Sequence, residues 1–137
     1  MDLGLKIKLP AKIENLRRFI DFVSDYAKQN QFSDKRIKEI ELATEEALVN
    51  ISKYAYPNDI GDIELRCQMQ DNNILVIEII DNGIPFDMNS VSEPDLNSSI
   101  LNRNVGGLGI HLIKKMVDKI NYKREKDKNH LIFLFYK

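Results

Sequence analysis

Residues 62–83 read DIELRCQMQDNNILVIEIIDNG. Ile63, Leu65, Cys67 and Met69 alternate with Glu64, Arg66, Gln68 and Gln70. Successive strand side chains point to opposite faces, so this alternation predicts a strand with one buried and one wet face. Asp71-Asn72-Asn73 has turn chemistry, because short polar side chains bond their own backbone and tolerate left-handed conformations. Ile74–Ile80 is apolar at nearly every position, which suits the middle of a sheet.

Upstream, Leu3, Leu5, Ile7 and Leu9 alternate with polar or small residues and predict a short strand ended by Pro10. Ile13, Leu16, Ile20, Val23 and Ala27 recur at helical spacing, with Phe19, Phe22 and Tyr26 widening the apolar side. Those rings are expected in the core rather than at an interface. Ser33 or Asp34 can cap a second helix. Its buried stripe is Ile37, Ile40, Ala43, Ala47, Leu48 and Ile51, and Pro57 and Asn58 stop it. Downstream, residues 82–105 show no period and read as a long functional loop. Gly106-Gly107-Leu108-Gly109 closes that loop. Ile110, Ile113, Met116, Val117 and Ile120 mark a third helix. Strands at about 120–125 and 130–136 flank a charged turn. The order predicts an α/β two-layer sandwich, a mainly antiparallel sheet with helices on one face.

The bulk composition agrees. A chain of 137 residues with 43% hydrophobic and 30% charged residues suits a single domain over 1–137. A net charge of −1 gives no broad basic field for nucleic acid. Cys67 is the sole cysteine, which excludes a disulfide framework and a Cys-based zinc site. No basic-then-apolar leader opens the sequence, and its apolar runs are too short to span a bilayer. A cytoplasmic protein without membrane contact is expected.

Three segments carry chemistry. Glu46 and Asn50, four apart, share a helix face beside the buried Ala47. This is either the polar edge of a solvated helix or a magnesium and phosphate site, since magnesium takes oxygen ligands and keeps several waters. Asp81 lies in phase with Leu75, Ile77 and Ile79, which aims it between sheet and helices, where an acid needs a donor. An adenine amine would supply one, and Gly83 would let a base approach the backbone. Asp81-Asn82-Gly83 alone is also a common turn; Pro85-Phe86-Asp87 raises its specificity. Gly106–Gly109 precedes a helix whose exposed N–H groups favour anions. It is neither a Walker A loop nor a Rossmann fingerprint, and a ligand-free hinge is the other reading.

In order and spacing, these three segments resemble the boxes of the histidine-kinase-like ATPases, which include gyrase, the MutL repair protein and the ATP-binding domains of sensor kinases. The resemblance covers almost the whole chain. It is strongest to the small stand-alone anti-sigma-factor serine/threonine protein kinases, through Glu46-Ala47-x-x-Asn50, Asp81-Asn-Gly-x-Pro-Phe-Asp87 and Gly106-Gly-Leu-Gly-Ile-x-Leu-Ile113. Asp118 and the closing strand pair fit it too.

The resemblance implies a Bergerat-type fold that binds ATP and Mg2+. Asn50 would hold the metal and Glu46 would be the catalytic base, a role that asks for partial burial. Asp81 would accept from the adenine amine and Gly83 would lie under the base. The N–H groups of Gly107, Leu108 and Gly109, with Gly106 beside them, would hold phosphates. Asn50-Ile51-Ser52-Lys53-Tyr54 resembles the sensor-kinase form Asn-x-x-Lys-Tyr, in which Lys53 approaches phosphate and Tyr54 the nucleotide; a solvated helix end is the other reading. Residues 82–105 would be the ATP lid, with Arg103 near phosphate. This segment matches no single member of the family, which leaves the partner open. The implied partners are an anti-anti-sigma-type protein substrate and a sigma factor, with the kinase a homodimer. A nucleotide-dependent protein-binding switch without kinase activity is the alternative. A sensor histidine kinase would need a phosphoacceptor helix pair, and His111 and His130 do not sit on one. A topoisomerase or chaperone ATPase would need transducer domains.

Overall fold

The computed structural model describes residues 4–56, 61–85 and 105–137, with only the backbone described for 105–110. The elements are β1 (Leu5–Pro10), a 3-10 turn (Ile13–Asn15), α1 (Leu16–Gln29), α2 (Asp34–Tyr54), β2 (Asp62–Gln70), β3 (Ile74–Asp81), α3 (Val105–Met116), β4 (Lys119–Glu125) and β5 (Lys128–Tyr136). This is the order expected from the sequence. Leu3, Pro57 and Asn58 lie outside the described residues.

The five strands form one sheet in the order β1-β2-β3-β5-β4, and every pairing is antiparallel. The apolar β3 is central, so both of its edges are hydrogen-bonded. Ile63, Leu65, Cys67 and Met69 of β2, Leu75, Ile77 and Ile79 of β3, and Leu131, Phe133 and Phe135 of β5 are buried. Facing them are the predicted stripes: Phe19, Ile20, Val23, Tyr26 and Ala27 of α1, and Ile37, Ile40, Ala43, Ala47, Leu48 and Ile51 of α2. Ile113 and Val117 seal the third position. The rings of α1 are core residues, as expected. Burying a Leu, Ile or Phe side chain stabilises by about 1.5–3 kcal/mol, so these faces hold the two layers together. Glu64, Arg66 and Glu78 occupy the outer face and form an ion-pair cluster there.

Ser33 caps α2: its hydroxyl accepts from the Arg36 N–H at 3.1 Å. Both hairpins turn through left-handed residues, Asp71 (φ 54°) and Asn72 (φ 63°) in one, Lys126 (φ 53°) and Asp127 (φ 63°) in the other. Three boundaries differ from expectation. α3 ends at Met116, so Val117 lies just past it and Ile120 falls on β4. The third helix begins at Val105 rather than near Ile110, so Gly106–Gly109 belong to its opening turns rather than to the loop before it. Glycine is a poor helix former, but the first turn of a helix tolerates it. The last strand begins at Lys128, two residues ahead of His130.

Candidate functional site

One row of cross-strand partners crosses the inner face of the whole sheet: Leu9, Ile63, Asp81, Asn129 and Arg124. It is apolar toward β1 and polar toward β4. The polar half forms a network. Asp81 is only 4% exposed. Its Oδ1 accepts from the Gly83 N–H at 2.9 Å and from Asn129 Nδ2 at 2.8 Å. Asn129 is equally buried and also donates to the Ile84 carbonyl at 2.8 Å. Its own Oδ1 accepts from Tyr122 Oη at 2.5 Å and from Arg124 Nη1 at 3.1 Å. Arg124 further donates to the Gly83 carbonyl at 2.6 Å. Burial pushes the Asp81 carboxyl above the usual range, and the bonds from Asn129 and Gly83 together with the nearby Arg124 and His130 oppose that rise.

The end of α2 is latched onto this corner. The Ile84 N–H donates to the Ala55 carbonyl at 2.9 Å. Tyr56 Oη donates to the Asp62 carbonyl and accepts from the Asn82 N–H, both at 2.7 Å. Burial holds the Tyr56 hydroxyl above its ordinary pKa, with the Asn82 N–H opposing and Asp81 and Asp62 adding to the rise. Gly83 permits the close fit, since a Cβ there would come within 2.3 Å of the Ala55 carbonyl oxygen. In the structure, then, the backbone that Gly83 lets approach is the end of α2.

This latch brings Asn50 to Asp81. Asn50, Ile51, Ala55, Asp81, Tyr122, Asn129 and Leu131 line one cleft between α2 and the sheet. Asn50 is 3% exposed, and its Nδ2 donates to the Glu46 carbonyl at 2.9 Å. With the nitrogen tied to the helix backbone, Oδ1 is the atom offered to a ligand. Among the described residues no group of three or more His, Cys, Asp or Glu could hold a metal. A single amide oxygen such as Asn50 Oδ1 is chemically compatible with an oxygen-seeking cation that takes its other ligands from water and phosphate. Glu46 is half-buried one turn before Asn50.

Lys53 and Tyr54 are not among the residues lining the cleft. Both are exposed at the end of α2, and Lys53 lines a separate apolar groove with Ala11, Ile13, Leu16, Val49 and Ser52. The backbone of Gly106, Gly107, Leu108 and Gly109 lies at the N-terminal end of α3. Phe86, Asp87 and Arg103, and most of the expected lid, lie outside the described residues. His130 sits on the outer face, 3.8 Å from Glu78, away from the cleft.

Sequence reasoning missed Asn129, Tyr122, Arg124 and Tyr56. Asn129 had a signal. It is in phase with Leu131, Phe133 and Phe135, so a polar residue was aimed at the core, as with Asp81.

A family model for the histidine kinase-like ATPase domain matches residues 9–135. The chain belongs to the histidine kinase-like ATPase family. Within this family it is similar to the serine-protein kinase RsbW of Bacillus cereus strain AH820, 30% identical over 120 residues. The match covers 85% of this chain and 74% of that protein. The RsbW of Bacillus thuringiensis strain Al Hakam is 29% identical over the same shares. A crystal structure of the RsbU and RsbW domains of a Mycobacterium tuberculosis protein superposes with a TM-score of 0.70 at 15% identity, across 97% of this chain. This chain spans about a third (32%) of that one. The resemblance to the histidine-kinase-like ATPases and to their stand-alone serine kinases is borne out, and so is the sandwich fold. No helix among the described residues is long and apolar enough to cross a membrane.

Proposed function

We propose that the protein is an ATP-dependent serine/threonine protein kinase that phosphorylates an anti-anti-sigma-type protein and, in its other role, binds a sigma factor. The observation that carries this is the meeting of Asn50, from α2, and Asp81, from the end of β3, in one cleft. Asp81 Oδ1 is engaged twice by the protein. Oδ2 is then the oxygen to accept from the exocyclic amine of adenine, with Asn129 and Tyr122 beside the base. The first amides of α3, at Gly106 and Gly107, lie where a helix leaves N–H groups unbonded and would hold phosphate, with Leu108 and Gly109 shaping the turn. Asn50 Oδ1 would take Mg2+, which when bound neutralises charge on the phosphate oxygens. Glu46 would accept the proton of the incoming serine hydroxyl; its half-burial suits that task. Lys53 and Tyr54 are better placed to meet the partner than the base. Residues 82–105 would form the lid of this single domain. By analogy with the family, the protein acts as a cytoplasmic homodimer.

The test incubates the protein with labelled ATP, Mg2+ and candidate partner domains. Wild type should label the partner on serine or threonine, and Glu46→Ala should bind ATP but label it at least about 100-fold more slowly. ATP binding without labelling of any partner would favour the non-catalytic switch. ATP affinity in wild type should require Mg2+, and Asn50→Ala should lose most of that requirement. An equal requirement in both proteins would remove Asn50 as the metal ligand.

A further inference from the structure

Arg36 sits in the first turn of α2, far along the helix from the cleft, yet it is the most heavily bonded cation among the described residues. Its Nε donates to the Tyr136 carbonyl at 3.1 Å. Nη1 donates to Glu39 Oε1 at 3.2 Å and to the Met116 carbonyl at 3.0 Å. Nη2 pairs with Asp118 Oδ2, which also accepts the Tyr136 N–H at 2.8 Å. The guanidinium stacks over Phe135, 5.1 Å from the ring centre. The side chain is 17% exposed. One planar fork thus joins four pieces of chain: the start of α2, the last residue of α3, the link from α3 to β4, and the end of β5. The cleft needs none of these contacts directly, and the proposed chemistry leaves Arg36 and Asp118 unused.

The arrangement has a mechanical meaning. α2 starts at this junction and runs to Asn50; α3 starts at the glycine turn and ends at this junction. At about 1.5 Å per residue, Arg36 to Asn50 is about 21 Å of helix, and Met116 back to Gly107 about 14 Å. The two helices are therefore the arms of a pair of tongs, with the metal ligand on one tip and the phosphate amides on the other. At the tip end α3 enters from residues 86–104. Among the described side chains of α3, Ile113 is buried and Met116 packs against the core, with Val117 buried just beyond its end. An apolar contact resists separation but is non-directional, so it fixes sliding and rotation poorly. Hydrogen bonds from a rigid fork fix both.

We propose that Arg36, with Asp118, is a positioning residue: it sets the register of α3 against α2 and hence the spacing between the phosphate amides and Asn50. The inference rests on the nucleotide-binding reading above. Under it, the adenine end of the site is set by β3, β5 and Asp81 and is independent of the junction, whereas the triphosphate end depends on it. Lysine cannot replace this arginine, because an ammonium with three donors on a flexible stem cannot serve four carbonyl and carboxylate acceptors at once.

The test compares the full chain as wild type, Arg36→Lys, Asp118→Asn and the double variant. Each is titrated with Mg·ATP and separately with adenosine, well below its own melting temperature. The single variants should lose ATP affinity by about tenfold or more, with adenosine affinity held within about twofold. The double variant should lose little beyond the worse single one, because both act through one junction. Phosphoryl transfer should fall further, since a misplacement of about 1 Å can cost about 100-fold. If the variants melt lower but keep the wild-type ratio of ATP to adenosine affinity, Arg36 is only a structural tie and the inference fails while the ATP site stands. If wild type itself binds neither ligand, the proposed function fails and takes this inference with it. Should Arg36→Lys not fold, Asp118→Asn, which removes the charge that pairs with the Arg36 guanidinium, carries the same comparison alone.

Discussion

A carboxyl group in the core loses its hydration, and Asp81 recovers part of it from two donors on a single oxygen. Its folded pKa is raised, so between the ordinary carboxylate range and that raised value the folded chain holds a proton the unfolded chain has lost. Stability therefore falls as pH rises through that window, because burial disfavours the charged form of Asp81. Asp81→Asn should raise the melting temperature at neutral pH, with the gain shrinking in acid below the carboxylate range, while ATP affinity falls by about tenfold or more. Thermal melts across pH and a nucleotide titration check the two halves; a variant that melts lower at neutral pH would contradict the first. Thr44 is a simpler case. It is fully buried in α2, and its hydroxyl has no hydrogen-bond partner among the described residues. Thr44→Val keeps the shape and removes the stranded hydroxyl, so it should stabilise by about 1 kcal/mol in urea unfolding.

Turn chemistry sets the next scale. The β2–β3 turn uses Asp71 and Asn72 at positive φ, residues that accept that backbone with little strain, and it was legible in the sequence for that reason. The β4–β5 turn puts Lys126 in the same region, where a long side chain has no compensating bond. Replacing Lys126-Asp127 by Asn-Gly, the favoured two-residue hairpin, should add about 1 kcal/mol, read as a rise in the urea midpoint at unchanged slope. The charged residues of this turn are why β5 was expected two residues late, and with it why Asn129 was missed. The apolar stripe of α2 was legible, because its spacing follows the helix repeat over about four turns, but the buried Thr44 beside it was not. The start of α3 was not: glycine's low helix propensity argued for a loop, and only position in the first turn overrides it. Lys53 went the other way. Its local motif left two readings, phosphate contact or a solvated helix end, and its place in the groove beside Ile13 supports the second.

At the scale of the molecule, the topology could be read because each element declares its own period and the order admits few arrangements. The network around Asp81 could not, since Asp81 and its donor Asn129 come from strands separated in sequence by a helix and a further strand. Cys67 offers a probe of the whole. It is 1% exposed in the middle of β2, and burial pushes its thiol up to about 12. Only a thiolate reacts, so thiol reagents at neutral pH should leave the folded chain untouched and label it at the rate of global opening. Fast labelling at neutral pH without denaturant would show that β2 opens on its own. The single rung from Leu9 to Arg124 has one further consequence. It borrows one residue from every strand, so no fragment of the chain completes it. A ribosome-bound chain that has not yet released residue 129 lacks the donor that orients its key acid. Under the function proposed above, ATP cannot act as a scaffold for early folding; it can only bind a chain that has already closed its sheet.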